Sequence, residues 1–174
     1  MTEHLEWLSL PTRRATKRLA RALAGALAPG DAMILTGALG AGKTFLVRAL
    51  CRALGLDEAV RVVSPTFTLI REIGTVPPIA HADLYRLQNA EDAQQLGLME
   101  LRERGAILIV EWGERYPTAV GPDSLSLSML LNPRRALLGS SGPRSALLRD
   151  AVTAVLAQRA VAFPKVPGDS DPVR

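Results

Sequence analysis

The stretch Gly37-Ala38-Leu39-Gly40-Ala41-Gly42-Lys43-Thr44 decides the fold of this 174-residue chain. Its spacing, Gly-x-x-x-x-Gly-Lys-Thr, is the P-loop pattern, in which a glycine-rich turn lets successive backbone N–H groups point at phosphate oxygens. The apolar run Ala32 to Leu35 precedes the motif and predicts a short buried strand. A helix is predicted from Lys43 to about Leu54, and Gly55 suits the left-handed position after its end. A strand, a phosphate-binding turn and a helix in this order predict an α/β fold.

Each residue type in this motif contacts a different part of a bound nucleotide. The Lys43 ammonium reaches the β- and γ-phosphates, and the Thr44 hydroxyl is placed to ligate a Mg²⁺ ion that bridges them. The alternative is a glycine-rich turn without a ligand, but the strand and helix predicted on either side favour the P-loop. We therefore expect Lys43 to be catalytic and the nucleotide to be bound by Gly37, Ala38, Leu39, Gly40, Ala41, Gly42, Lys43 and Thr44.

Two acids at predicted strand ends are candidates for the metal site. Glu111 directly follows Ala106 to Val110, the most strand-like run in the chain, and is the better candidate to hold Mg²⁺ together with Thr44. Its alternative is a surface glutamate at a strand end. Asp83 ends a second predicted strand and is a candidate to ligate magnesium through water or to orient the attacking water; its alternative is a turn aspartate.

The segment Ser64-Pro65-Thr66 lies between the P-loop helix and the next predicted strands. Many P-loop hydrolases place a mobile segment there that senses the γ-phosphate, so Thr66 is a candidate donor to that phosphate or to a metal-bound water. The alternative is an ordinary turn with a proline. His81 shares a strand face with Asp83, yet a lone histidine on a strand is more often a packed residue than a catalytic one. Trp112 has two interpretations: it packs beside the nucleotide, or it belongs to the hydrophobic core or to a contact with a partner protein.

The composition bounds the class of protein. A chain of this length with 48% hydrophobic residues forms one substantial core, and its net charge of +4 favours phosphate-bearing ligands. The single cysteine, Cys51, excludes an internal disulfide and shares a predicted helix face with Val47 and Leu54, so we expect it to be buried. Two histidines, His4 and His81, and one cysteine exclude a structural zinc cluster. No apolar run reaches membrane-spanning length, so we expect a cytoplasmic protein.

The remaining elements of the first half are a helix and a hairpin. Thr12 is expected to cap a helix running to about Leu27, with a basic stripe of Arg14, Lys17, Arg18 and Arg21 on its outer face. The stripe is either a solvated face or a docking face for an acidic protein surface or for nucleic-acid phosphates. β-Branched residues predict strands at Arg61 to Val63 and Thr66 to Ile73, joined by the turn Gly74 to Pro78 to a strand ending at Asp83.

The second half is predicted to complete one P-loop domain over residues 1–160, with a mixed β-sheet flanked by helices. Asn89 is expected to cap a helix from Ala90 to about Arg104. Leu125 to Leu131 predicts an edge strand, Gly139 to Pro143 a turn, and Ser145 to about Ala160 a closing helix. Residues 161–174 contain three prolines, and we expect a disordered tail.

Four segments in this order resemble the TsaE family, also called YjeE, whose members are small bacterial ATPases that work with TsaB and TsaD to make threonylcarbamoyladenosine in tRNA. They are the P-loop, Ser64-Pro65-Thr66-Phe67-Thr68-Leu69, His81-Ala82-Asp83-Leu84-Tyr85-Arg86 and Val110-Glu111-Trp112-Gly113-Glu114-Arg115. The resemblance covers about Leu8 to Leu156.

The resemblance implies that ATP binds the P-loop and that Mg²⁺ is held by Thr44 and Glu111. It further implies that Asp83 is an essential acid near the γ-phosphate and that Thr66 lies on a switch-like segment. The adenine would be contacted around Thr16 and by a basic residue after the late strand, Arg134 or Arg135. The implied partners are TsaD and TsaB, with direct or indirect contact to tRNA and no membrane.

Two other classes of function use the same P-loop. A small-molecule kinase would need an arginine-rich lid and an acceptor pocket, and neither is recognisable in the sequence. A non-hydrolysing nucleotide-sensing adaptor would use Glu111 only to hold magnesium. The absence of an Asn-Lys-x-Asp sequence disfavours a GTPase, and the absence of Leu-Ser-Gly-Gly-Gln disfavours a transporter ATPase. The sequence thus predicts a magnesium-dependent ATPase.

Overall fold

The computed structural model describes residues 7–161, and the side chains of residues 7–158. Within this range the strands are β1 Trp7–Ser9, β2 Ala32–Thr36, β3 Ile70–Ile73, β4 Ile79–Asp83, β5 Ile107–Glu111, β6 Leu125–Leu131 and β7 Arg134–Ser140. The helices are α1 Arg13–Ala26, α2 Lys43–Ala53, α3 Ala90–Gln95, α4 Leu98–Glu103, α5 Pro117–Val120 and α6 Pro143–Val161, with a 3-10 turn at Gly113–Arg115.

The described strands form one mixed sheet in the order β1-β7-β6-β2-β5-β4-β3. Strand β2 lies at its centre and runs parallel to both β5 and β6, and β4 runs parallel to β5. Strands β1, β3 and β7 pair antiparallel with their neighbours. The predicted α/β fold with a mixed sheet flanked by helices is therefore confirmed.

The sheet is covered by helices on both faces, because alternate side chains of its central strands point to opposite sides. Met33 and Leu35 of β2 belong to the core shared with α1, α2 and α6. Ala32 and Ile34 belong to the core on the other face, beneath α4 and α5. Burial on both faces explains why the central strands are continuously apolar in the sequence.

Two predicted helices of the first half are confirmed. The Thr12 side chain accepts a hydrogen bond from the Ala15 N–H and caps α1. Helix α2 begins at Lys43, and Gly55 beyond its end has φ 86°. Cys51 is buried on α2 as predicted, and burial raises the pKa of its thiol to about 11, so this cysteine is not a reactive thiolate.

The predicted hairpin forms, but its first strand is shorter than predicted. Strand β3 covers only Ile70–Ile73, and neither Arg61 to Val63 nor the segment from Thr66 to Thr68 is a strand. The β-branched residues of that segment form a turn closed by the Leu69 N–H on the Pro65 carbonyl, at 2.7 Å. Side-chain hydrogen bonding outweighs strand propensity here, since the hydroxyl of Thr66 bonds the end of β4.

Three predictions for the second half were wrong in detail. Asn89 does cap a helix, but Gly97, with φ 67°, divides the expected single helix into α3 and α4. Strand β6 is not an edge strand, because β7 pairs along its whole length. Strand β7 went unpredicted because polar residues begin and end it, and it includes Gly139 and Ser140 of the expected turn.

Helix α6 begins at Pro143 and runs to Val161. Residues 162–174 of the expected tail lie outside the described residues, and the domain limits at 1–160 and 161–174 stay a prediction. Within residues 7–161, no helix combines the length and the apolar character needed to cross a membrane.

Candidate nucleotide and metal site

Three parallel strands end level with one another at one edge of the sheet. Strand β2 leads into the P-loop, and its Leu35 pairs with Glu111, the last residue of β5. Glu111 also pairs with Asp83, the last residue of β4. Because the carboxyl ends of neighbouring parallel strands meet at one edge, the fold brings the P-loop and both predicted acids together.

A cavity of about 500 Å³ opens at this edge. The sequence predicted functional roles for most of the residues that line it, which are Leu39, Gly40, Gly42, Lys43, Thr44, Phe45, Ser64, Thr66, Asp83, Tyr85, Glu111 and Trp112. Phe45 and Tyr85 were not predicted as site residues. The Tyr85 ring lies 5.1 Å from that of Trp112, which the sequence left between a nucleotide contact and core packing.

The P-loop backbone takes a conformation that depends on glycine. Gly40 and Gly42 have φ values of 83° and 106°, which other residues rarely adopt. Lys43 is buried, and its ammonium donates to the carbonyls of Gly37 at 2.6 Å and Ala38 at 3.3 Å. It also lies 4.7 Å from the Trp112 ring centroid. The ammonium is thus already held inside the loop that would surround the phosphates.

Thr44 and Glu111, the two residues predicted to share a metal ion, are in direct contact. The Thr44 hydroxyl donates to Glu111 Oε1 at 3.1 Å, which leaves the hydroxyl lone pairs available to a cation. Glu111 is buried, and no hydrogen bond among the described residues reaches its other oxygen, Oε2. Each residue therefore retains an unoccupied oxygen lone pair at this position.

His81 has a contact that sequence reasoning missed. Its Nε2 lies 3.0 Å from Glu111 Oε1, and the ring is fully buried. Its Nδ1 has no hydrogen-bond partner among the described residues, whereas a proton on Nε2 has Glu111 as its acceptor. His81 and Thr44 thus hold the same carboxylate oxygen. The sequence signals for His81 were its place on one strand face with Asp83 and its place at the start of a segment that resembles the TsaE family.

Asp83 ties the Ser64–Thr66 segment to the sheet. Its Oδ2 accepts hydrogen bonds from Ser64 Oγ at 2.5 Å and Thr66 Oγ1 at 2.7 Å. Its Oδ1 accepts from the Tyr85 N–H at 3.1 Å. All three of these contacts use the carboxylate of Asp83 as a hydrogen-bond acceptor. The hydroxyls of the segment and the acid at the strand end therefore form one connected unit at the cavity wall.

The structure separates the three residues expected near the adenine. Arg134 lies beside the P-loop, since a Cβ placed on Gly42 would be 3.8 Å from its guanidinium. Arg135 stacks on Trp7 instead, at 4.4 Å from the ring centroid, because neighbouring residues of a strand point to opposite faces. Thr16 is buried on α1 and is not among the residues that line the cavity.

A P-loop at the centre of a mixed sheet, with its threonine hydrogen-bonded to an acid on the neighbouring strand, defines a P-loop nucleotide-binding protein. The profile of the family described as threonylcarbamoyl adenosine biosynthesis protein TsaE matches residues 10–136, and the chain belongs to this family. The resemblance inferred from the sequence is confirmed.

Individual relatives agree with the family assignment. The chain is 36% identical over 123 residues to the tRNA threonylcarbamoyladenosine biosynthesis protein TsaE of Rickettsia felis, covering 70% of this chain and 71% of that protein. It is 39% identical over 114 residues to the protein of that name from Streptomyces coelicolor, covering 64% and 76%. The crystal structure of Bacillus subtilis YdiB superposes with a TM-score of 0.69 at 26% identity, covering 88% of this chain and 98% of that one.

Proposed function

We propose that this chain is a magnesium-dependent ATPase that acts with TsaD and TsaB in forming threonylcarbamoyladenosine in tRNA. The family supplies the process, threonylcarbamoyl adenosine biosynthesis. The 3.1 Å hydrogen bond between Thr44 and Glu111, in one cavity with Lys43 and Asp83, is the observation that carries the ATPase assignment. The proposal places the activity in the cytoplasm, where ATP and tRNA are available.

The residues at the P-loop fit a magnesium ion. Mg²⁺ prefers oxygen ligands and is usually held by one or two protein oxygens together with substrate phosphates and water. Thr44 Oγ1 and Glu111 Oε2 are such oxygens, and no group of three or more His, Cys, Asp or Glu within residues 7–161 forms an all-protein metal cage. A magnesium ion here would offset the negative charge of the β- and γ-phosphates.

The side chains of the cavity have distinct roles in this proposal. Lys43 exchanges two neutral carbonyl acceptors for phosphate oxygens, whose negative charge makes the hydrogen bonds from the ammonium stronger. Thr66 turns its hydroxyl from Asp83 to the γ-phosphate, and Asp83 then orients the attacking water. Arg134, beside Gly42, is the better placed of the two arginines to contact the nucleotide.

A single set of assays tests the proposal against its alternatives. Purified chain is incubated with ATP, with and without Mg²⁺, and release of inorganic phosphate is measured alone and with TsaB and TsaD. Magnesium-dependent phosphate release supports the ATPase. Transfer to an added small-molecule acceptor without phosphate release would indicate a kinase, and tight ATP binding without turnover would indicate an adaptor.

Replacing Glu111 with glutamine is expected to weaken Mg²⁺ binding by at least about tenfold to a hundredfold, the loss typical of changing an outer-shell partner of a metal, and to slow hydrolysis accordingly. The side-chain volume stays the same, and the amide oxygen still accepts from Thr44 and His81, so stability should change little. The measurement is the Mg²⁺ dependence of phosphate release, together with thermal unfolding. Glu114→Gln, at an exposed glutamate three residues later, is the matched control and should match wild type. Equal Mg²⁺ dependence of phosphate release in the two variants would show that Glu111 is not the metal ligand.

The segment that follows Thr66 presents an exposed apolar side chain beside the cavity. Phe67 is 86% exposed, and the Arg86 guanidinium lies 4.8 Å from its ring centroid. Leu39 and Tyr85, at the cavity wall, are also exposed. Exposed apolar side chains grouped in this way are typical of partner contacts. A partner bound here would contact the segment that Asp83 holds.

We therefore expect TsaB plus TsaD to bind this chain more tightly with ATP than with ADP, by at least about tenfold, an ordinary coupling between two sites. Titrating the partners under each nucleotide measures this difference. Phe67→Ser should weaken partner binding, whereas Val76→Ser should not, because Val76 is equally exposed but lies in the turn at the far end of the hairpin. Equal affinities with ATP and ADP would contradict nucleotide-gated assembly.

A further inference from the structure

A second cavity of about 500 Å³ lies between α1 and α2. It is here named the basic groove, and it is lined by Lys17, Arg21, Phe45, Arg48, Ala49, Arg52, Ala53 and Glu58. Cations outnumber the one carboxylate of this lining by four to one. Phe45 also lines the nucleotide cavity, so the two cavities adjoin at the start of α2.

The cations of the basic groove stand in two rows. Lys17 and Arg21 are four residues apart on α1, and Arg48 and Arg52 are four residues apart on α2. Four residues of an α-helix rise about 6 Å, so each row places two positive charges at a regular interval on one helix face. A regular double row of cations fits a ligand whose negative charges also repeat.

The two rows differ in mobility. Arg52 donates to the carbonyls of Asp57 and Val60, at 2.6 Å each, and Arg48 donates to the Val62 carbonyl at 3.1 Å. These bonds hold both guanidiniums against the loop that follows α2. Lys17 and Arg21 are exposed and make no hydrogen bond or ion pair among the described residues. The α1 row is therefore free to bind a ligand, and it can be altered without disturbing the loop after α2.

We propose that the basic groove docks the phosphate backbone of an RNA, an inference that rests on the proposed function in tRNA modification. Lysine and arginine are the usual partners of nucleic-acid phosphates, and such contacts supply most of the affinity without reading sequence. Charged residues are depleted from the cores of protein interfaces, whereas five of the eight residues that line this groove are charged. The groove would hold RNA beside the nucleotide cavity, so that Phe45 contacts both sites.

The structure divides the basic stripe predicted on α1. Lys17 and Arg21 line the basic groove, whereas Arg18 lines a different cavity together with Trp7 and Leu156. Arg14 lines neither cavity. The double variants Lys17→Ala/Arg21→Ala and Arg14→Ala/Arg18→Ala remove equal charge from one helix, so the second is a matched control for the first.

The experiment measures the affinity of the full-length chain for a fluorescently labelled, unmodified tRNA transcript at several salt concentrations. Wild-type affinity should fall steeply as salt rises. The Lys17→Ala/Arg21→Ala variant should bind about tenfold more weakly at low salt, with the slope of log affinity against log salt reduced by about two. The control variant should keep the wild-type slope. Thermal unfolding checks that both variants are folded.

Three results would overturn the proposal. These are no tRNA binding by wild-type protein at low salt, equal losses in the two variants, or displacement of tRNA by poly-glutamate at equal charge concentration. The last would assign the groove to an acidic protein segment. The binding assay contains no ATP, so failure of the ATPase proposal leaves it unaffected. Conversely, ATP hydrolysis without tRNA binding would contradict the RNA-docking proposal and leave the ATPase proposal standing.

Discussion

Replacing Lys43 with alanine is expected to lower ATP hydrolysis by roughly a hundredfold to a thousandfold, the size of effect seen when one preorganised donor to a developing charge is removed. Lys43 is the P-loop cation, and its ammonium is already buried at the carbonyls of Gly37 and Ala38. Without it, charge that moves onto the phosphate oxygens loses its nearest positive partner. Phosphate release at saturating ATP and Mg²⁺ gives the rate.

The fold of the Lys43→Ala variant should survive, which separates a lost catalytic group from a lost structure. The bonds that Lys43 makes are two hydrogen bonds to backbone carbonyls and a contact with the Trp112 ring. Each is expected to contribute on the order of 1 kcal/mol. A melting temperature within a few degrees of wild type, with hydrolysis nearly abolished, is the expected pair of results. Near wild-type hydrolysis in a folded variant would show that Lys43 has another role.

Replacing Asp83 with asparagine is expected to slow turnover by about a hundredfold or more, with a much smaller change in ATP affinity. The substitution keeps the shape of the side chain and removes its negative charge. The carboxylate oxygens it alters accept hydrogen bonds from the Ser64 and Thr66 hydroxyls and from the Tyr85 N–H. Ground-state contacts to the nucleotide are unaffected if Asp83 acts on the attacking water. Calorimetric ATP titration and single-turnover hydrolysis separate binding from chemistry.

Asp92→Asn is the matched control for Asp83→Asn, because Asp92 is exposed on α3 and lies outside the cavity lining. It should hydrolyse ATP at the wild-type rate. An unchanged single-turnover rate in Asp83→Asn would show that Asp83 takes no part in the chemical step. Its role would then be structural, linking β4 to the Ser64–Thr66 segment by hydrogen bonds. A parallel loss of affinity and turnover would instead assign it to nucleotide binding.

Two errors in the secondary-structure prediction fall where contacts between elements, and not local propensity, decide the structure. The β-branched run beginning at Thr66 reads as a strand, but Asp83 of a different element bonds its hydroxyl. Strand β6 reads as an edge strand because its sequence alternates only in part, and only pairing with β7 makes it internal. A local sequence pattern predicts whether an element is a helix or a strand. The neighbouring elements that it contacts fix where the element ends and where it lies in the sheet.

The sequence by itself determined the P-loop, the strand before it, the helix after it and the Thr12 cap of α1, because all of these depend on residues within a few positions of one another. It also identified Glu111 and Asp83, since acids at the ends of apolar strands are recognisable locally. Only the tertiary structure decided that Thr44 bonds Glu111 across 67 residues and that His81 bonds the same oxygen. The basic groove likewise exists only because α1 packs against α2. Strand order and helix packing minimise exposed apolar surface over the whole chain, and no short stretch of sequence contains that information.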